Sequence, residues 1–278
     1  MVTQTMIDYI NAKGHWTASL DWAGNLTIAQ ARSMLGDLPS DLRFPEAKLG
    51  ALAQAIAIPT NFDSRSYWPT CVDPIRDQGK CGSCWAFAAT EVLADRYCIS
   101  QGIHVVLSPQ WLVSCDTTNH GCSGGSAYNA WHYLASTGVP ADACAPYVSG
   151  KKGAAGACKY KACNEFYRST GVYSFLNPTA IQAEVLSNGP VMASMRVYAD
   201  IFAGIGCGVY RHTTGDMLGG HAVKIIGWGE EAGTSYWLVA NSWGAGFGCD
   251  GYFKIAFGQC GLDMSAVAGE AAFSYKTL

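Results

Sequence analysis

Gln78-Gly79-Lys80-Cys81-Gly82-Ser83-Cys84-Trp85 places one glutamine, two cysteines and a tryptophan at the mouth of a long helical pattern. From Ser83 to Ile99 there is no Gly or Pro, and Trp85, Ala88, Ala89 and Val92 keep the i, i+3, i+4, i+7 spacing of a buried helical face. Ser83 reads as the N-cap, which puts Cys84 in the first turn. Unpaired N–H groups and the helix dipole there favour an anion and lower a thiol's pKa towards neutrality. A thiolate is the form of cysteine that attacks carbon, so Cys84 is a candidate nucleophile.

The bulk composition narrows the classes. A chain of 278 residues with 49% apolar content can bury a sizeable core in one or two domains. A net charge of −3 and only 14% charged residues leave no basic field for nucleic acid or acidic membranes. No apolar run is long enough for a transmembrane helix, and the start, MVTQTMIDYI, lacks the apolar core of a signal peptide. Twelve cysteines nevertheless point to an oxidising compartment. The two fit if a signal was removed or is absent from this chain.

Residues 1–56 contain no cysteine, whereas residues 71–163 hold nine of the twelve. A disulfide-bonded body preceded by a disulfide-free arm suggests a removable pro-segment; the plainer alternative is an N-terminal subdomain. Within the arm, Thr3–Ala12 and Thr27–Leu35 look helical, the second stopped by Gly36. Asn25-Leu26-Thr27 is a glycosylation sequon, and Asn177-Pro178-Thr179 is blocked by its proline. From Ile58 the body continues with helices expected after Ser83, from Ser108-Pro109 and from Ser126 to about Ser136. After a loop-like stretch from Cys144 to Cys163, Pro178–Leu186 reads as another helix. Strands then dominate: Val191–Val197, Gly208–His212, Ala222–Trp228, Tyr236–Asn241 and Tyr252–Ala256. Helices first and strands second suggest two packed sub-domains, an α+β arrangement.

A thiolate needs a histidine that can hold it as an ion pair and later protonate a leaving group. Of six histidines, His15 lies in the arm, His104 and His120 in loops, His132 on a helix, and His212 at a strand end. His221 differs: Gly219-Gly220 permits close backbone approach, and Ala222-Val223-Lys224-Ile225-Ile226 runs on as a buried strand, a rigid support for the ring. Asn241, ending an apolar strand before Ser242-Trp243-Gly244, could orient that imidazole while the indole shields the bond; alone, it is an ordinary strand-terminal Asn. Gln78, six residues before Cys84, could aim its amide at a developing oxyanion beside the Cys84 N–H.

Taken together, Gln78-Gly79-x-Cys81-Gly82-Ser83-Cys84-Trp85, Gly220-His221-Ala222, Asn241-Ser242-Trp243-Gly244 and Cys122-Ser123-Gly124-Gly125 resemble the papain-like cysteine proteases. His221 stands 137 and Asn241 157 residues after Cys84, close to the roughly 130–150 of that family. The likeness spans essentially the whole chain. Ser66-Tyr67-Trp68-Pro69-Thr70-Cys71, Tyr236–Asn241 and Ile7-Asp8-Tyr9-Ile10-Asn11 are similar to its cathepsin B branch. The resemblance implies a two-subdomain papain-like fold, helical on the left and β-barrel-like on the right. Residues 1–57 would be an inhibitory propeptide, running through the cleft against the substrate direction and leaving on acidification, and residues 58–278 the peptidase domain (about 58–165 mainly helical, about 166–278 mainly β). It implies that Cys84 is the nucleophile, His221 its ion-pair partner, Asn241 the orienting residue and Gln78 the oxyanion donor. Trp243 would cover the His–Asn bond, and Gly124 and Gly125 would pair with extended substrate. It also implies peptide or protein substrates, cystatin-type inhibitors, no cofactor or metal, a monomer, and a lysosomal, acidic-vacuolar or secreted location.

Two departures sharpen the expectation. The cathepsin B branch carries an occluding loop whose histidines bind a C-terminal carboxylate, but Ala145–Ala157 between Cys144 and Cys158 is only 13 residues and has no histidine. An endopeptidase is therefore expected. Where that branch has a glutamate in the second specificity pocket, counting from Cys260-Gly261 gives Ser265, so apolar side chains are expected there.

The resemblance also suggests the pairs Cys71–Cys98, Cys81–Cys122, Cys115–Cys158 and Cys144–Cys163, leaving Cys207, Cys249 and Cys260; Cys207–Cys249 with Cys260 free is the pairing we favour. Rival readings fit less. A thiol–disulfide oxidoreductase using Cys81-Gly82-Ser83-Cys84 needs a βαβ context that Asp73–Gly79 does not supply. A catalytically silent binding protein has no support where every triad position is filled, and a metal site fails on spacing.

Overall fold

A computed structural model describes residues 2–20, 22, 26–47, 57–159, 163–272 and 275–276. Asn25 of the sequon and the stretch 48–56, next to the expected end of the arm, lie outside the described residues.

In the arm, two threonines start two helices. The Thr3 hydroxyl accepts the Met6 N–H to begin α1 (Gln4–Lys13), and Thr27 and Gln30 exchange reciprocal bonds to begin α2 (Ile28–Ser33). The second helix ends at Ser33 with Met34 as its cap, earlier than the sequence suggests. Gly36 is not the stop: it is buried in the cleft described below.

The body is organised around α3 (Cys84–Gln101). The apolar spacing predicts one buried face, yet every residue from Cys84 to Cys98 is buried. The reason is position: α4 (Pro109–Cys115) and α5 (Ala127–Ser136) pack on one side and the sheet on the other. Its charged residues find partners inside. Lys224 places its Nζ 2.7 Å from Asp95 Oδ2 and 3.8 Å from Glu91 Oε2, while Arg96 pairs with Glu184 at 2.8 Å. Ser83 holds the N-cap position, but its backbone (φ −109°, ψ 17°) is not extended and its side chain does not cap. Its hydroxyl lies 2.7 Å from the Tyr147 hydroxyl instead.

After α6 (Pro178–Asn188), capped by the Asn177 side chain, comes the sheet. Its main strands are β1 (Ser169–Phe175), β2 (Val191–Tyr198), β3 (Met217–Glu231), β4 (Thr234–Ala240), β5 (Tyr252–Ala256) and β6 (Ala266–Ala271). The order across it is β1-β6-β2-β3-β4-β5, antiparallel throughout, with Val209–Tyr210 added parallel at the β5 edge and Phe62–Asp63 paired to β3. β3 spans 15 residues, beginning well before the expected Ala222 because Gly219 and Gly220 already pair with Val197 and Arg196 of β2. Helices on one side and a mixed sheet on the other give an α+β fold.

Five disulfides join Cys71–Cys98, Cys81–Cys122, Cys115–Cys158, Cys144–Cys163 and Cys207–Cys249, and Cys84 and Cys260 are free and buried. Four of them staple the helical half, whose loops are long. Loops of this size give about 3–4 kcal/mol each by chain-entropy reasoning.

Candidate active site

The Cys84 sulfur sits at the start of α3, 0% exposed, with the backbone N–H groups of Ala222, Gly36 and Trp85 turned towards it, which favours the anion. A helix start lowers a thiol's pKa in the open, but here the opposite holds. Burial, with the nearby Asp37 adding to it, pushes Cys84 up to about 12. Its neighbour in the C-x-x-C, Cys81, is locked to Cys122, which holds the loop so that the Gly82 N–H meets the Cys122 carbonyl at 3.0 Å. Cys81 and Cys84 are not a redox pair.

His221 lies on β3 opposite Met195, in the same strand as Ala222, whose N–H reaches the sulfur. Its Nε2–H donates to Asn241 Oδ1 at 2.7 Å, and that oxygen also takes the Ser242 N–H at 2.8 Å. The second bond fixes which way the amide points, and the first assigns the proton to Nε2. Nδ1 is left as a bare, buried nitrogen without a partner among the described residues. Trp243 stacks on the ring at 4.3 Å. Burial lowers His221 to about 4, only partly offset by Asn241, so the imidazole is neutral beside a neutral thiol. The other histidines are placed elsewhere. His104 lies 3.3 Å from the Cys98 sulfur, His212 is 3.2 Å from Asp200, His132 stacks near Tyr128, His120 donates its backbone N–H to Gly124, and His15 stays in the arm.

Gln78 is fully buried and ties both halves together: its Oε1 accepts from Ser242 Oγ at 2.7 Å, and its Nε2 donates to Cys81 O at 2.8 Å. The remaining N–H of that amide donates to the Met34 carbonyl, also at 2.8 Å. A carbonyl from the arm therefore sits on the donor that sequence reasoning reserved for an oxyanion.

The rest of the arm continues through the cleft. Gly36 crosses so closely over Gly82 that a Cβ there would stand 1.9 Å from the Gly82 oxygen. Gly125 donates to the Gly36 carbonyl (2.8 Å) and accepts from the Leu38 N–H (2.9 Å), while the Asp37 N–H reaches Gly220 O (3.1 Å). Gly220 has to be glycine for the same reason: a Cβ would stand 2.3 Å from the Asp37 oxygen. Gly124 does not share this pairing. Its backbone bonds go to His120 and Gly121, and it forms a wall beside the Leu38 side chain. Farther on, Phe44 stacks on Tyr128 at 4.6 Å, and Pro45 and Ala47 bond to Ser174 of β1.

Three arm residues escaped the sequence reading. Trp16 donates its Nε1–H to the Arg211 carbonyl at 2.9 Å, and Trp22 stacks against Phe202 and Trp243 and meets Phe247 edge-on. Asp37 lies beside Ser194 with Oδ1 enclosed and unpaired, and burial raises it to about 7. Two tryptophans within seven residues of one another, outside any amphipathic helix, were the available signal. Ser265 lines the cavity of about 550 Å³ beyond Asp37, its hydroxyl bonded to Ser194 O at 2.7 Å. On the other side, the segment after Cys144 packs down beside the Gln78 loop. Tyr147 OH donates to Gln78 O (2.8 Å), and Gly150 O accepts the Lys80 N–H (2.9 Å).

Among the described residues no group of three His, Cys, Asp or Glu could hold a metal ion, and no helix is long and apolar enough to cross a membrane.

A papain-type fold with a buried Cys–His–Asn constellation defines a class of thiol hydrolase, and comparison agrees. The chain belongs to the papain family of cysteine proteases, which it matches over residues 58–270. Within it, the chain is similar to cathepsin B-like enzymes. It is 36% identical to cathepsin B-like cysteine proteinase 5 of Caenorhabditis elegans, over 96% of this chain and 89% of that one. It is 42% identical to the gut-specific cysteine proteinase of the same organism, over 77% and 75%. Among solved structures, procathepsin B S9 from Trypanosoma congolense superposes with a TM-score of 0.92 at 33% identity, over 98% of this chain and 99% of that one.

Proposed function

We propose that the chain is the zymogen of a cysteine endopeptidase, residues 1–57 being the inhibitory propeptide and residues 58–278 the peptidase domain. The observation that carries this reading is that Met34–Leu38 crosses Cys84, the Gln78 amide and Gly220, next to His221, as one continuous stretch. In this form the thiol and imidazole are both neutral, and a propeptide carbonyl occupies Gln78.

Removing the propeptide reverses each of these. Water reaches Cys84, the burial penalty falls, and the helix start then favours the anion. His221 Nδ1, already unprotonated, takes the thiol proton while Asn241 holds Nε2–H. The thiolate attacks the scissile carbonyl. The oxyanion accepts from Gln78 Nε2–H and the Cys84 N–H, a role in which a single lost donor typically costs on the order of a hundred- to a thousandfold. The imidazolium then protonates the leaving amine, and water, deprotonated by His221, hydrolyses the acyl-enzyme. Gly125 offers the substrate the backbone groups it now offers Gly36 and Leu38. The absence of histidine between Cys144 and Cys158 removes the paired imidazoles that would hold a C-terminal carboxylate, which supports internal cleavage.

Acid favours activation through His221. Its closed-form pKa of about 4 lies below the ordinary 6.5, so the closed form loses stability as pH falls between those values. This suits a lysosome, an acidic vacuole or secretion into an acidic lumen. The test is incubation at acid pH beside Cys84→Ala. Only the wild type should shed the arm, about 6 kDa at roughly 110 Da per residue, and gain peptidase activity; an equally active mutant would sink the assignment.

A further inference from the structure

With residues 1–57 set aside, the cavity that holds Ser265 is lined by neutral side chains with one exception. Among the described residues, Arg196 is the charged side chain on its wall. It follows Ser194 on the same face of β2, is solvent-exposed, and has no acidic partner among the described residues. Its backbone N–H is pinned to Cys260 O at 2.9 Å, and Gly261 leaves the guanidinium room: a Cβ there would stand 3.3 Å from Nη2. The nearby acids are engaged elsewhere. Asp200 takes Tyr210 OH, His212 Nδ1 and the N–H groups of Thr213 and Thr214, and Asp263 takes the Gly258 N–H. An arginine fork with free donors is a carboxylate receptor.

The propeptide adds a second observation. Of the arm's side chains on this cavity, the one beside Ser194 is an acid, Asp37, while Leu38, Leu42, Arg43 and Phe44 also line it.

We infer that Arg196 makes this pocket select substrates with an acidic side chain two residues before the scissile bond and reject basic ones. The inference rests on the peptidase reading above and adds to it a charge preference that Ser265 alone does not supply. Apolar residues remain acceptable, because Met195, Met217 and Met264 also line the pocket.

The test compares activated enzyme, Arg196→Ser and Arg196→Glu on three peptides differing only at that position, with Glu, Leu or Arg, after titration of active thiol with an irreversible epoxide. The kcat/KM ratio of Glu to Arg should favour Glu in the wild type, fall about tenfold in Arg196→Ser and invert in Arg196→Glu. The Leu peptide should stay within about twofold in all three. An unchanged Glu-to-Arg ratio in both variants, with the Leu peptide still cleaved, would overturn the role of Arg196 and leave the peptidase standing. No cleavage of any peptide by titrated wild type would overturn the peptidase reading and this inference with it. Arg196→Ser alters one exposed side chain, so it carries the test even if the reversed charge disturbs folding.

Discussion

Gly36→Ala should open the zymogen without touching the catalytic residues. The added methyl would lie 1.9 Å from the Gly82 oxygen and 2.4 Å from its carbon, so the propeptide must rise by about 1.5 Å to reach ordinary contact at about 3.4 Å. Four hydrogen bonds depend on its present height: Gly125 N–H to Gly36 O, Leu38 N–H to Gly125 O, Asp37 N–H to Gly220 O, and Gln78 Nε2–H to Met34 O. At a net ~1 kcal/mol each, losing two to four of them weakens closure by about 2–4 kcal/mol. That raises the open population roughly 30- to 1,000-fold. The assay is iodoacetamide labelling of the uncleaved chain at neutral pH, with Cys84 modification followed by mass spectrometry. Cys260, the other free buried thiol, serves as an internal reference. Gly14→Ala is the control, because Gly14 has a φ of 69° and would meet nothing within 4 Å; it strains the arm far from the cleft. Labelling of Cys84 in Gly36→Ala as slow as in wild type, or equal acceleration by Gly14→Ala, would refute the reasoning.

Two further outcomes follow from buried charge. Asp37 is raised to about 7 from 3.8 in the closed form, so its contribution to closure is full below 3.8 and is lost as pH rises to 7, the opposite sense to His221. Asp37→Asn removes this opposition: autoactivation should slow at pH 7 and depend more steeply on acid, and faster activation of the mutant at pH 7 would contradict it. Lys224→Met, studied on a Cys84→Ala background, strands Asp95 and Glu91 between α3 and β3. A loss of about 3–5 kcal/mol, seen as a melting point lower by roughly 10 °C, is expected; an unchanged melting point would show that the pair is dispensable.

Much of this protein was legible in one dimension. The helix after Ser83, the helices from Pro109 and Ala127, and the strands around His221 and Asn241 could be read because caps and apolar runs are local signals. So could the residues of the proposed site, since Cys84, His221, Asn241 and Gln78 each sit in a short motif. Boundaries were less legible. β3 starts at Met217 because Gly219 and Gly220 find partners in β2, and Ser83 spends its hydroxyl on Tyr147; neither partner is near in sequence.

The state of the site was not legible at all. A thiol at a helix start reads as acidic, yet Cys84 is driven up to about 12 because residues some fifty positions earlier in the chain cover it. Trp16 and Trp22 anchor that cover on Arg211 and Trp243, and Arg196 becomes a pocket wall only through its place beside Ser194 on a folded strand. Local sequence determines which groups can react. Burial, the proximity of charges and the path of the arm depend on contacts between distant segments, so the tertiary structure alone decided that this thiol is buried and protonated in the form described.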